Sequence, residues 1–495
     1  MRLRSIILMS VMLMVIFAIP SDCAEASETD LADGSHYSYR TFGNDFASYR
    51  CTIDLVSSDA DVLYISTVLE GYNVTELIRV DAPNASLIVV PERIETIHED
   101  AFEGCTDLED LYFLGSMPYT PFSIPEGVVL HHLPGSAGWS AGEEITVLRG
   151  LSADGSVVRY AIIDNGAMVI GGEPSSDGSV TVSSEVEGYR VTSIGPYAFA
   201  GRENASMTSM EPRTDIISVT IPEGVTVIRE RSFFYNGGMT SVSMPGTLTV
   251  IMDEAFRGAS SLKDADIPGG VIYLGFESFR NCSSLEEVTI PDSVGYAGEG
   301  TFKVCPSVRT LVIGSGLERV ADWMFSYNSS LESVEFRGSP SGIGASAFYM
   351  CSSLGSVDLP DSVGYIGAGS FLGCSSMASV TLPSSLVTIG ADAFEDCRSI
   401  TDITIPARVE SIGDKVFAYC SGMEDIRFLG PRPDLGRAVF LNCDATIHCT
   451  SDHRDSWEGF DGVVVDGGDR NIAIYVLAAA LLSVCAVIAI LVRRR

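Results

Sequence analysis

Thiols, imidazoles and carboxylates are the side chains of this sequence that could do chemistry, and their spacing decides whether they do. Cys282, Cys305, Cys351, Cys374, Cys397, Cys420 and Cys443 keep one 23-residue register. Such a column could hold metal, pair as disulfides, or pack as small hydrophobes. The same register holds Asn236, Ala259 and Asn328 in other repeats, so the position accepts a weak hydrogen-bonding group or a methyl and does not require a thiolate. Zinc sites use close pairs such as CxxC, and the sequence has none. A disulfide needs converging Cβ atoms about 3.8 Å apart, whereas equivalent side chains in stacked units point the same way. Buried structural thiols are the reading favoured over both. Cys443 and Cys449, at the end of the register, are the exception, where a local disulfide is expected.

Histidine is found only at His36, His98, His131, His132, His448 and His453, so none falls between residues 133 and 447. A Ser-His-Asp triad within that stretch is excluded, and no GxSxG elbow occurs. Asp/Glu pairs that could hydrolyse glycosides are common, but a repeat of short units offers no pocket that surrounds a sugar ring. His448, Asp452, His453 and Asp455 have mixed metal-ligand character, yet a solvated cap loop is the better reading at such loop spacing. The sequence therefore implies no catalytic residue, no cofactor and no metal site, and the chain is read as not an enzyme.

What must position any functional residue is the repeat. Phe233, Phe256, Phe279, Phe302, Phe325, Phe348, Phe371, Phe394, Phe417 and Phe440 are each 23 residues apart. Pro222, Pro245, Pro268, Pro291, Pro360, Pro383 and Pro406 share the register, with Gly314 and Arg337 as exceptions, and Phe199 joins it across an 11-residue insertion. In each unit a short strand such as Leu285, Val288, Ile290 turns alternate residues inward. Proline, having no N–H to donate, ends the ladder. An "IGAGSF" segment turns the chain, and "AFxxC" is long enough for about one helical turn. One unit cannot bury its own apolar side, so units stack. The fold class predicted is α/β and strand-rich, a solenoid of 23-residue coils in two modules, with parallel strands about 4.8 Å apart.

The outward strand positions are the candidate binding surface. One column runs Thr220, Ser243, Asp266, Thr289, Val312, Glu335, Asp358, Thr381, Thr404 and Arg427; the next includes Asp264, Glu287, Thr310, Ser333, Asp402 and Asp425. Hydroxyls and carboxylates dominate, a surface suited to sugars, cations or a broad protein contact. A solvated sheet face without a ligand is the competing reading.

The unit "IPDSVGYIGAGSFLGCSSMASVTLP" resembles the BspA-type leucine-rich repeat, nearly unbroken over residues 188–443 and in a shorter copy over about 71–115. The resemblance implies a leucine-rich-repeat solenoid and adhesion at a cell surface. The motif is specific for fold and much less so for function.

Two modules are expected. "LEGYNVTEL" (69–77) parallels "VEGYRVTSI" (186–194), "LEDLYFLG" (108–115) parallels "MEDIRFLG" (423–430), and each exit is followed by one tryptophan, Trp139 or Trp457. Residues 36–140 then form a short module with caps. Residues 155–465 form a long one, with a β cap at its start and an aromatic cap at its end, and Asn165-Gly166 between apolar runs marks a hairpin turn.

The ends read as targeting segments. Residues 1–26, with Arg2, Arg4 and an apolar run from Ile6, resemble a secretory signal peptide. Residues 466–471 are a short stalk. Ile472 to Val492 is uncharged and long enough for one transmembrane helix, and Arg493, Arg494 and Arg495 form a cytoplasmic basic end. The expectation is a single-pass cell-membrane protein with its ectodomain outside. With a net charge of −34 and lysine only at positions 263, 303 and 415, the chain repels nucleic acid. The partners expected are an extracellular protein or glycan, with divalent cations as a further possibility and the membrane met through the chain's own C-terminal helix. Asn73, Asn84, Asn204, Asn281 and Asn328 begin Asn-x-Ser/Thr sequons.

Overall fold

The structure is a computed structural model, and it describes residues 26–31, 34–42, 50–203, 210–460 and 463–466. The segments 1–25 and 467–495, on which the signal peptide and the transmembrane span were placed, lie outside the described residues. No helix among the described residues is long and apolar enough to cross a membrane.

Each coil of the repeat has three sides. The first is a short strand, such as Glu287–Ile290, Thr310–Ile313 and Ser333–Phe336, paired in parallel with its neighbours in register. The second is a two-residue strand: Val227–Ile228, Val250–Ile251, Tyr273–Leu274 and Tyr296–Ala297 pair in parallel, and a second run extends from Gly342–Ile343 to Asp434–Leu435. The third side carries the phenylalanines. Their rings form one continuous stack from Phe199 to Phe440, with neighbouring centroids 4.9 to 6.1 Å apart. A single core cluster runs from Val158 to Trp457. The expected shared core of stacked units is thus what the structure contains.

The third side is not helical, and the α/β expectation is corrected here. Among the described residues the one helical segment is the 3-10 turn Ser451–Trp457. Two left-handed residues in each coil from Phe233 to Phe440 explain this, because a helix needs consecutive right-handed ones. They flank the phenylalanine at two positions before and two after: Glu277 (φ 47°) and Asn281 (φ 59°) around Phe279, Ser346 (φ 54°) and Met350 (φ 58°) around Phe348. Amides of this side bond forward to the next coil, Phe256 to Ser278 at 2.7 Å and Phe279 to Thr301 at 2.8 Å. A third parallel ladder of backbone bonds therefore stands where a helical turn was expected.

The start of the array is antiparallel. Val147–Leu151, Val157–Ile163 and Gly166–Glu173 form a meander, and the last pairs in parallel with Tyr189–Ile194. The hairpin turn falls one residue earlier than Asn165-Gly166. Asp164 (φ 46°) and Asn165 (φ 57°) are its central residues, the two positive φ values of a type I′ turn.

A separate core cluster runs from Tyr37 to Phe113. On the outer face of the parallel sheet formed by Val62–Tyr64, Leu87–Val90 and Asp110–Phe113, Leu87 and Val89 pack with Ala161, Ile163 and Met168 of the meander. The strand Leu87–Val90 is buried on both faces for this reason.

Candidate functional site

The alternation expected of the strand face holds. In Glu287–Ile290 and Asp402–Ile405 the burial pattern is exposed, buried, exposed, buried. Glu287, Thr289, Asp358, Thr381, Asp402 and Thr404 are exposed, and Glu335 is exposed while Asp425 and Arg427 are half-exposed. Asp358 stands opposite Thr381, whose hydroxyl donates to it at 2.9 Å. Glu335 pairs with Arg337 at 3.1 Å, and Thr401 donates to Asp402 at 3.1 Å. Asp402 and Asp425 lie directly opposite each other, a like-charge pairing that destabilises a sheet. Arg427 at 3.7 Å and His448 at 2.6 Å offset it at Asp425.

The face is not one sheet. Asp264 and Asp266 belong to no strand, because the Asp264 carboxylate accepts the Asp266 N–H at 2.9 Å and competes with the ladder there. Asp266 is therefore exposed on an irregular coil between the strands Ser241–Ser243 and Glu287–Ile290.

The thiol column has its physical explanation. The thiols from Cys282 to Cys420 donate to the carbonyl of the preceding coil's phenylalanine: Cys282 to Phe256 at 3.2 Å, Cys351 to Phe325 at 3.2 Å, Cys374 to Phe348 at 3.2 Å and Cys420 to Phe394 at 3.1 Å. Asn236 does the same for Phe199 at 3.1 Å, which is why asparagine can replace cysteine. Burial pushes Cys305 and Cys351 up to about 12, so they are neutral donors and poor nucleophiles. Cys443 and Cys449 do not form a disulfide. Cys443 occupies the column position after Phe440, while Cys449 faces inward from the strand Thr446–Thr450.

Each aromatic cap is built twice in the same way. Trp139 packs on Phe113 with centroids 4.8 Å apart, and Trp457 on Phe428 at 4.6 Å. Beside them His131 contacts Asp110 at 2.7 Å, and His448 contacts Asp425 at 2.6 Å. Asp452, His453 and Asp455 lie in the segment Ser451–Trp457 instead. No group of three His, Cys, Asp or Glu that could hold a metal ion occurs among the described residues.

Sequence reasoning missed a buried charge network. Arg231 and Arg257 both contact Glu254, Arg257 reaches Glu277 at 2.9 Å, and Arg280 reaches Glu277 at 2.6 Å. Burial alone would raise Glu254, but the two guanidiniums outweigh it and hold the carboxyl below its usual range. Arg231 also donates to Tyr197 at 2.7 Å, to the Gly71 carbonyl at 3.1 Å and to Asn73. The network thus joins the region of residues 66–73 to the flank of the long array.

A three-sided coil with two parallel ladders, a phenylalanine stack and a third ladder of turns defines a leucine-rich-repeat solenoid. The family model described as the BspA type leucine rich repeat region matches residues 81–121, 207–332 and 341–452, in six copies. The chain belongs to that family, which is a repeat family and not a catalytic one. No curated protein matches the chain. Among solved structures it is similar to a leucine-rich repeat protein from Bacteroides ovatus (19% identity, 66% of this chain and 99% of that one, TM-score 0.31). It is also similar to a leucine rich cell surface protein from Faecalibacterium prausnitzii (22%, 66% and 99%, TM-score 0.33) and to the pneumococcal vaccine antigen PcpA (16%, 65% and 99%, TM-score 0.39). At such identities and TM-scores these likenesses say nothing of ligand or role.

Proposed function

We propose that this chain is a membrane-anchored cell-surface binding protein, engaged in adhesion or interaction with extracellular proteins or glycans through the outward strand face of its long solenoid. One contrast carries the reading. In the strand Leu87–Val90 of the shorter array the outward positions are apolar, Leu87 and Val89, and the meander covers them. In the longer one they are Glu287, Thr289, Asp358, Thr381 and Thr404, and they are exposed. A surface that the chain itself covers is apolar, while the surface left open carries hydrogen-bonding groups at regular spacing. In this reading residues 36–140 and 155–465 are the two modules. Residues 1–26 direct export, 466–471 form a stalk, 472–492 cross the membrane and 493–495 remain cytoplasmic.

A structural envelope component without a discrete ligand is the second reading. The internal pairing of Asp358 with Thr381 and of Glu335 with Arg337 favours it. The full chain, probed against immobilised extracellular-matrix proteins and printed glycans, separates the two. Saturable binding lost on substitution of Asp266, Glu335 and Asp358 by alanine supports the binding reading. Absence of any saturable partner supports the envelope component.

A further inference from the structure

The wall of turns carries large side chains, three of them aromatic, that stand partly exposed on left-handed backbone. Trp323, Tyr327, Met350 and Tyr419 expose between 36% and 43% of their surface. All four have left-handed backbones, with φ of 58°, 62°, 58° and 60°. Elsewhere in the array the same two positions hold Gly258, Gly300, Asn281 and Asn442, types that adopt this conformation at little cost, and also Glu254, Glu277, Val304 and Lys415, which do not. A bulky side chain there is strained, and each of these keeps more than a third of its surface open to solvent. Strain kept where the rings stay open to solvent points to function.

The rings are held in fixed relations. Tyr327 meets Tyr349 edge to face at 5.1 Å, Tyr349 lies 5.9 Å from Trp323, and the Lys303 ammonium sits 4.2 Å above the Trp323 ring. Further along the same wall, Tyr419 borders a shallow depression of about 470 Å³ with Glu395, Asp396, Arg398, Ser421 and Asn442. Asp396 and Arg398 pair at 2.5 Å, so they offer an acceptor and a donor with no net charge. Tyr327 and Tyr419 are four coils apart, about 20 Å at the usual strand spacing.

We propose that this wall binds a neutral oligosaccharide of pyranose units, stacked on Tyr419 and on the Trp323–Tyr327–Tyr349 group. A pyranose presents an apolar C–H face, which the negative face of an aromatic ring attracts, and an edge of hydroxyls, which Asp396, Arg398, Glu395 and Asn442 can hydrogen-bond. An anionic polymer meets Glu395, Asp396 and the overall charge of −34. A protein partner needs a contiguous apolar centre that excludes water, and here Glu395, Asp396 and Arg398 line the depression beside Tyr419. This wall is distinct from the strand face, so the inference does not depend on that reading.

The array supplies substitutions that its own backbone accepts: Tyr327→Asn and Tyr419→Asn place the residue of Asn281 and Asn442, and Trp323→Ser that of Ser346. The full chain is titrated with neutral hexose oligosaccharides of two to six units, followed by tryptophan fluorescence and by a printed array, with thermal unfolding as the folding control. The result expected is saturable binding that strengthens with length, weakens at least tenfold in each ring variant, and is unchanged in Glu126→Ala, on an exposed turn of the shorter array. Absence of binding to every neutral oligosaccharide overturns the proposal. So does binding that survives all three ring substitutions, binding lost in Asp358→Ala alone, or dependence of a protein ligand, and not a glycan, on the rings.

Discussion

The Ser66 hydroxyl donates to Glu230 at 2.7 Å, joining residues 164 positions apart across the boundary between the two arrays. It belongs to a larger contact. The Glu70 N–H donates to Asp253 at 3.3 Å, the Arg229 guanidinium lies 3.6 Å above the Tyr64 ring, and Arg231 reaches Gly71 and Asn73. The Glu70-Gly71 turn therefore sits on the second-strand side of the long solenoid. Its sequence counterpart, Glu187-Gly188, is exposed. One turn type thus serves as a docking element in one place and a free cap in the other.

Replacing Arg231 with methionine should separate the arrays and destabilise the protein. Glu254 is fully buried and would keep only Arg257 as its partner. Removing one member of a buried ion pair costs about 3–5 kcal/mol. Denaturant titration should show that loss, and limited proteolysis should cut between residues 114 and 157 faster than in the parent. Parent-like stability and cleavage would mean that the network contributes nothing to docking.

Phe302→Ala should cost about 3–5 kcal/mol, the range for truncating a buried phenylalanine. Phe302 has no exposed surface and contacts rings on both sides, at 5.2 and 6.0 Å. Phe440 is only partly buried and ends the stack, so Phe440→Ala should cost less. Equilibrium denaturation of both variants checks the order, and equal losses would count against a continuous stack as the source of stability.

The features legible in the sequence were those the period repeats. Phe279 and Phe302 announce their stacking because each coil must place one large ring at the same height. The alternation in Glu287–Ile290 announces its outward face. The left-handed turns were hidden, since Ser346 and Met350 are not residue types that signal positive φ, and "AFYMC" reads as readily for a helix. Ser66 and Glu230 carry no periodic signal that would bring them together. The Asp425–His448 contact depended on the register between the strands Asp425–Phe428 and Thr446–Thr450, which spacing across a cap does not fix.

Stability should fall as pH rises from about 9 to 12. Burial holds Cys305 and Cys351 near 12, against 9.0 for an unperturbed thiol. In that window the unfolded chain has released these protons and the folded chain has not, so the unfolded state binds fewer protons and is favoured as pH rises. Below 9 both states are protonated and the slope from these groups vanishes. The double variant Cys305→Ala, Cys351→Ala should have a shallower decline of unfolding free energy between pH 9 and 11. An unchanged slope would mean that the thiols titrate alike in both states.

Expressed in a host that glycosylates exported chains, Asn84 should carry glycan and Asn328 should not, although both begin sequons. Asn84 is exposed in a turn, while Asn328 has no exposed surface. Its side-chain oxygen accepts the Cys305 N–H at 2.8 Å, in the register where other coils place a thiol. A glycan on its amide would have to displace that hydrogen bond and open the stack between Phe325 and Phe348. Asn73 poses a finer test, because its amide oxygen faces Arg231. Glycan at Asn73 would hold the docking turn away from the solenoid, so occupancy there should be low in the parent and rise in Arg231→Met. Peptide mapping by mass spectrometry reads all three sites, and full occupancy of Asn328 in folded protein would contradict the inward placement of the column.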